Sequence, residues 1–351
     1  MSNSDLEVIH FRHEGGAAFA AAEAYFASGS PVAVFTTAGP GITNSLTGLF
    51  AARGEGAKII LLSACTSASQ RGRWAIQETS AFTLPSSGIF TSGTLFNFAA
   101  IVESADQLPQ ISRKLALGLS QPGGFIAHLS IPTGIQTTTL NTSLPEVSVA
   151  ESGSIPNEET IAKCVQLLTE GRFAIWVGFG ARGAAEEIRE LAERTGAAVM
   201  CSPRGKGIFP ENHPQFVGVT GLGGHGSVMQ YLREQPPVRT LVLGTRLGEP
   251  TSFWSEAMIP PRGFVHVDID PEVPGVAFPH AETFPVQSDV KAFLKALLKQ
   301  FPKRPGIAVS LPNPEIEAVA KDTISQLVRP AVVMDAVQRI IVEGSDAIVL
   351  A

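Results

Sequence analysis

An acidic residue opens an alanine-rich segment near the start of the 351-residue sequence. Residues 10–25 read HFRHEGGAAFAAAEAY, and Glu14 stands between a basic run and the alanines. A carboxylate at such a place either caps the positive end of a helix dipole or acts as a placed catalytic acid. An apolar wall raises the pKa of a carboxyl group, whereas a helix N-terminus lowers it, so the sequence leaves the sign of the shift open.

A glycine-rich turn forms the second candidate site. In TTAGPGITNSLTGLFAA, residues 36–52, an apolar strand leads into Gly39, Pro40 and Gly41 and then into a helix. Glycine permits a close backbone approach or a positive φ, and Thr37 and Asn44 offer polar groups near the helix N-terminus. Such a turn can hold a ligand, or it can be a plain strand-to-helix connection.

A polar pair forms the third candidate. In RGRWAIQETS, residues 71–80, Gln77 and Glu78 follow an apolar pair. Taken alone, such residues are more often a solvated polar face than a site.

A fourth motif has the spacing of a dinucleotide fingerprint. VGFGARGAAEEI, residues 177–188, places Gly178, Gly180 and Gly183 between an apolar strand and a helix. The acid that would bind a ribose hydroxyl is expected about 20 residues later. Cys201 and Ser202 stand there instead, which weakens the interpretation as a nucleotide site.

The elements around these motifs alternate between short β-branched runs and alanine-rich stretches, a pattern that predicts an α/β fold with largely parallel sheets. Strands are predicted at 7–11, 31–37, 57–63, 124–130, 172–178, 197–202, 239–245, 263–270 and 346–351, and helices at about 14–28, 41–53, 105–120, 158–170, 182–196, 289–301, 315–327 and 330–343.

Composition excludes several classes of protein. A chain of 351 residues with 44% hydrophobic and 17% charged residues is long enough for two domains. The net charge of -6 comes with scattered Lys and Arg, so no nucleic-acid partner is expected. The apolar runs are too short to span a membrane. Three separated cysteines favour inert, buried thiols in a reducing cytoplasm.

Together the first three motifs resemble the pyrimidine-binding domain of thiamine-diphosphate enzymes of the acetolactate synthase-like superfamily. The family's RHExxAxxxAxxYA corresponds to residues 12–26, its T-x-GPG-x-x-N to residues 37–44 and its F-Q-E to Ile76, Gln77 and Glu78. The second half is similar to the family's central domain through GAAVMCSPRGKGIFPENHPQFVGVTGLGG, residues 196–224, and VHVDIDPE, residues 265–272.

The resemblance implies two three-layer α/β/α units and the beginning of a third. The implied domains are a pyrimidine-binding domain at 1–135, shortened at its front, a linker at 136–156, a central Rossmann-like domain at 157–301, a linker at 302–314 and an incomplete diphosphate-binding domain at 315–351. In this family the central domain holds FAD or ADP in some members and nothing in others, so FAD binding stays open.

The resemblance also implies roles for the motif residues. Glu14 would hydrogen-bond N1′ of the aminopyrimidine, which promotes removal of the thiazolium C2 proton. Gln77 would line the substrate side, and the cofactor would lie against a turn formed by Thr37, Gly39, Pro40, Gly41 and Asn44. The Mg²⁺ ligands are expected in the third domain, so none is assigned in this chain.

The implied function is decarboxylation of a 2-oxo acid with transfer or ligation of the acyl unit. The implied assembly is a homodimer or homotetramer, or a complex with a chain that supplies the diphosphate-binding domain. Two alternatives stay open: a non-catalytic partner or regulatory subunit, and a nucleotide-binding oxidoreductase that uses FAD or NAD.

Overall fold

The computed structural model of the chain describes residues 8–78, 87–139, 154–302, 310–314 and 330–347. The strands are β1 Val32–Thr36, β2 Lys58–Cys65, β3 Phe98–Ile101, β4 Phe125–Pro132, β5 Phe173–Val177, β6 Ala198–Cys201, β7 Phe216–Val219, β8 Arg239–Leu243, β9 Phe264–Asp268 and β10 Thr283–Gln287. The α-helices are α1 Glu14–Ser28, α2 Pro40–Glu55, α3 Ser87–Phe90, α4 Leu108–Ser120, α5 Thr133–Gln136, α6 Glu158–Thr169, α7 Ala185–Thr195, α8 Gly226–Glu234, α9 Glu249–Ser252, α10 Val290–Gln300 and α11 Pro330–Val337, with a π-helical turn at Gln338–Val342.

The first unit is a four-stranded parallel sheet in the order β1-β2-β4-β3. Its core consists mostly of small and branched side chains from β1, β2 and the two helices α1 and α2, together with Leu95, Phe96 and, from β4, Ile126. Because the strands run parallel, their carboxyl ends meet at one edge of the sheet. The chain leaves β1 and β2 at that edge and enters the two segments that carry the glycine-rich turn and the Gln-Glu pair.

Local sequence explains where α1 and α2 begin and end. His13 caps α1, since its Nδ1 accepts the Gly15 N–H at 3.0 Å, and Gly29 ends the helix in a left-handed conformation. Pro40 stands in the first turn of α2, where its missing N–H costs no hydrogen bond.

The second unit is a six-stranded sheet in the order β10-β9-β8-β5-β6-β7. Starting from β5, the chain adds β6 and β7 on one side of the sheet and then β8, β9 and β10 on the other side. The topological switch point therefore lies between β5 and β8. Trp176 fills the centre of this core, and its indole N–H donates to the Thr220 hydroxyl at 3.2 Å.

Several elements differ from the sequence-based expectation. Residues 8–11 form no strand and have exposed apolar side chains, so the predicted strand at 7–11 is wrong over its described part. A short apolar run alone cannot supply the neighbouring strand that a β-ladder requires. The sequence also missed β3, β7, β10 and α8. Pro285 lies inside β10, and Gly218 lies inside β7 with a φ of 132°, and both residue types argue against a strand.

The tail is described only in part. The predicted helix at 330–343 is confirmed as α11 and the π-helical turn that follows it. The predicted helix at 315–327 lies outside the described residues, as does the end of the predicted strand at 346–351 beyond Ala347.

Two buried histidines predict a pH-dependent stability. His128 has no exposed surface, and its Nδ1 lies 2.6 Å from the Ile89 carbonyl oxygen. A carbonyl can only accept, so Nδ1 carries the proton and Nε2 accepts from the Ser63 hydroxyl at 2.7 Å. Burial lowers the pKa of His128, and likewise that of His266, from 6.5 to about 4.

Both imidazoles therefore stay neutral in the fold while the unfolded chain protonates them below pH 6.5. The contribution of the two neutral histidines to the free energy of unfolding is complete above pH 6.5. It is lost as the pH falls toward 4, by on the order of 3 kcal/mol for each group. Urea midpoints between pH 7.5 and 4.5 measure this loss. The variant His128→Gln should flatten the curve and the exposed-site control His280→Gln should not; equal curves for all three proteins contradict the prediction.

Candidate active site

The carboxylate of Glu14 is held at the start of α1 by a residue of α2. The Nδ2 of Asn44 donates to Glu14 Oε2 at 3.2 Å, across 30 positions of sequence. Hydrogen bonds from the backbone N–H of Glu14 and from Asn44 lower the pKa of this carboxyl group, and partial burial opposes them more weakly. The sequence left the direction of the Glu14 pKa shift open, and in this structure the pKa is lowered. The ionised form of the carboxyl group is therefore favoured.

Small residues bring the two helices close enough for this contact. A methyl group added at Gly48 of α2 would lie 2.6 Å from Ala18 Cβ and 2.9 Å from the Gly15 carbonyl oxygen. A methyl group added at Gly15 would lie 3.2 Å from the carbonyl oxygen of Asn44. The glycines therefore place the N-terminus of α1 against the first turns of α2.

The glycine-rich turn is shaped by two further contacts. Gly39 has a φ of 59°, and a methyl group on it would lie 2.7 Å from the carbonyl oxygen of Gln77. A methyl group on Gly41 would lie 2.6 Å from Thr37 Oγ1. Glycine is thus required at position 39, Gly41 packs closely on Thr37, and the turn contacts the predicted substrate-side residue Gln77 through its backbone.

All seven predicted site residues consequently lie in one region at the carboxyl edge of the first sheet. They are Glu14, Thr37, Gly39, Pro40, Gly41, Asn44 and Gln77. The side chains of Thr37, Asn44 and Gln77 are exposed, and that of Glu14 is partly exposed, so all four can reach a bound molecule. The arrangement offers a carboxylate, an amide and hydroxyl groups around a close-packed turn.

A buried hydroxyl group lies at this edge. Thr36 Oγ1, at the last position of β1, is buried and has no hydrogen-bond partner among the residues that the structure describes. It lies beside Gly41, where an added methyl group would approach Thr36 Cβ to 3.2 Å. A buried hydroxyl without a partner is costly unless a ligand or water satisfies it, which fits a polar ligand at the turn.

The sequence assigned no role to three groups near the site. Glu78 is 8% exposed and accepts two backbone N–H groups of its own loop, so it is no solvated polar residue. Arg71 pairs with Glu103, which raises the pKa of the guanidinium further. The signal for Glu78 was its position beside Gln77; nothing in the sequence indicates the pairing of Arg71 with a residue 32 positions away.

The glycine motif of the second unit has a packing role. A methyl group on Gly178 would lie 2.3 Å from Thr245 Cβ, and one on Gly180 would lie 2.9 Å from Gly244 Cα. The N–H of Gly180 donates to the Gly244 carbonyl oxygen at 2.9 Å. Gly178 and Gly180 let the loop after β5 pack on the loop after β8, which accounts for these two without a nucleotide, whereas a methyl group on Gly183 would meet nothing within 4 Å.

The thiol groups of the chain are enclosed. All three cysteines are free and buried, as predicted, and burial raises the pKa of Cys164 and Cys201 to about 12.

No group of three or more His, Cys, Asp or Glu that could hold a metal ion is found where the structure describes the chain. In the same ranges no helix is long and apolar enough to cross a membrane.

Two family profiles match this sequence. Residues 1–84 match the "Thiamine pyrophosphate enzyme, N-terminal TPP binding domain" and residues 161–297 match the "Thiamine pyrophosphate enzyme, central domain". The first match contains all seven predicted site residues, and the second contains the six-stranded sheet. The chain belongs to the thiamine pyrophosphate enzymes, of which it carries the N-terminal and central domains.

Within that family the chain is homologous to acetolactate synthase large subunits. It is 29% identical over 301 residues to an acetolactate synthase of Mycobacterium bovis, a match that covers 84% of this chain and 47% of the relative. It is 26% identical over 310 residues to a probable 2-ketoarginine decarboxylase of Pseudomonas aeruginosa. This match covers 86% of this chain and 53% of the relative. The chain spans about half the length of the curated relatives it matches.

A solved structure confirms the fold. Benzoylformate decarboxylase from Polynucleobacter necessarius superposes with a TM-score of 0.75 at 19% identity, over 96% of this chain and 61% of that protein. The two parallel α/β units predicted from the sequence are thus the fold of thiamine pyrophosphate enzymes.

Proposed function

We propose that this chain supplies the pyrimidine-binding side of a thiamine-diphosphate-dependent enzyme that decarboxylates a 2-oxo acid and transfers or ligates the acyl unit. The contact between Glu14 and Asn44 supports this most directly, because it places a carboxylate at the sheet edge beside the glycine-rich turn. The homology to acetolactate synthases supports ligation, and the decarboxylase among the relatives supports loss of CO₂.

The residues present fit the aminopyrimidine half of the cofactor. When bound, thiamine diphosphate supplies the electron sink that a 2-oxo acid needs to lose CO₂. Glu14 would share a proton with the ring nitrogen N1′, and Asn44 would hold the carboxylate in place for this contact. Displacement of water from the partly exposed carboxyl group raises its pKa, which offsets the lowering seen here and makes proton sharing possible.

Thr37, Gly39, Pro40 and Gly41 would form the surface against which the ring lies, and Gln77 would face the substrate. We assign no Mg²⁺ ligand to this chain; the metal and the diphosphate would be held by another domain or another subunit. Trp74 and Ile76 are 85% and 92% exposed on the loop that carries Gln77, which supports a homodimer, a homotetramer or a second chain that covers this edge. A cytoplasmic location stays a prediction, as do the domain boundaries.

Calorimetry and a decarboxylase assay test the proposal. In the active protein that contains this chain, thiamine diphosphate should bind only with Mg²⁺, and a panel of 2-oxo acids should release CO₂. The isolated chain should bind the cofactor at least 100-fold more weakly. Tight, Mg²⁺-dependent binding by the isolated chain would contradict the assignment of the diphosphate site elsewhere, and an active protein without cofactor dependence would overturn the function.

A further inference from the structure

The loop that carries Gln77 has an unusual backbone. Gly72, Trp74 and Gln77 all have left-handed conformations, with φ values of 75°, 60° and 54°. Residues other than glycine rarely adopt this region, and such conformations persist only where the surrounding structure holds them. A specific interaction must therefore stabilise the loop.

Glu78 provides that interaction. Its Oε1 accepts the Gly72 N–H at 2.6 Å, and its Oε2 accepts the Ala75 N–H at 3.2 Å. The backbone N–H of Glu78 donates in turn to the Ala75 carbonyl oxygen at 3.1 Å. The two oxygens of one buried carboxylate thus each accept a charge-assisted hydrogen bond from a different residue of the loop.

The loop is anchored at its other end by Arg71. The guanidinium donates from Nε to the Thr66 carbonyl oxygen at 3.0 Å and from Nη1 to Glu103 at 2.8 Å. Residues 72–77 lie between Arg71 and Glu78, and the Gln77 carbonyl oxygen packs against Gly39. The conformation that Glu78 imposes therefore decides where Gln77 stands relative to the glycine-rich turn.

We propose that Glu78 is a positioning residue of the active site. Its carboxylate acts through the Gly72 and Ala75 N–H groups to hold Gln77 at the substrate side, and it touches neither cofactor nor substrate. This inference rests on the proposed function, because the role of Gln77 belongs to it.

The variant Glu78→Gln tests the inference in the active protein. One amide oxygen can serve only one of the two N–H groups, so hydrogen exchange at Gly72, at Ala75 or at both, measured without cofactor, should accelerate at least tenfold. The kcat/KM for the 2-oxo acid should fall about tenfold, while the Kd of thiamine diphosphate stays within twofold. Asp106→Asn removes an exposed carboxylate that accepts a hydrogen bond from the Ser104 hydroxyl of its own turn, so it is the matched control and should change each value less than threefold.

The possible results separate the two proposals. Unchanged exchange at both amides, or faster exchange with unchanged kcat/KM, would overturn the role of Glu78 alone. A parallel loss of cofactor affinity and kcat/KM would also overturn it, since that is the behaviour of a general structural defect. A wild-type protein that neither binds the cofactor nor turns over overturns the proposed function and this inference with it. If Glu78→Gln does not fold, Glu78→Asp takes its place, because the shorter carboxylate cannot span both N–H groups.

Discussion

The variant Glu14→Gln is expected to lower kcat for 2-oxo acid turnover by at least about 100-fold. Glutamine keeps the size of the side chain and can still accept the hydrogen bond from Asn44. It cannot share a proton with a ring nitrogen, so only the acid–base function is lost. Steady-state kinetics of the active protein measure the effect, and calorimetry should show thiamine diphosphate binding within about tenfold of the wild type.

The control for this substitution lies on the same helix. Glu23 is exposed on α1, and Glu23→Gln removes the same charge nine positions away from Glu14. We expect its kcat to stay within twofold of the wild type. Undiminished turnover in Glu14→Gln would end the assignment of this residue as the catalytic acid.

The variant Gly48→Ala is expected to weaken both the fold and the site. Its methyl group would meet Ala18 Cβ at 2.6 Å and the Gly15 carbonyl oxygen at 2.9 Å, and neither can rotate away. Helices α1 and α2 must separate, which costs more than the gain in helix propensity from alanine. The net loss of stability is about 2 kcal/mol. Separation also removes Asn44 from Glu14, so cofactor affinity should fall at least tenfold.

A second glycine of the same helix provides the control. A methyl group on Gly54 meets nothing within 4 Å, so Gly54→Ala should stabilise the protein by about 0.5–1 kcal/mol through helix propensity alone. Urea denaturation and calorimetry of the two variants test the contrast. Equal stability changes for Gly48→Ala and Gly54→Ala would show that close packing of the two helices does not matter here.

Local signals in the sequence predicted most of the elements that carry the site. The start of α1 at Glu14 and its end at Gly29 follow from capping and from the left-handed preference of glycine. The parallel strands β1 and β2 follow from runs of β-branched residues between helical stretches. Where these signals conflict with the required geometry, prediction failed: β10 contains Pro285, and the largely apolar run at residues 8–11 forms no strand.

The sequence by itself determined the class of fold, the motifs that resemble the family and the identity of the seven candidate residues. Short-range patterns and residue types encode all three. Only the tertiary structure decided which of those residues meet, since the contacts of Glu14 with Asn44 and of Gln77 with Gly39 join segments more than 25 positions apart. It also decided the downward pKa shift of Glu14 and the burial of Glu78. Hydrogen bonds and desolvation depend on neighbours in space, and a linear sequence does not state those neighbours.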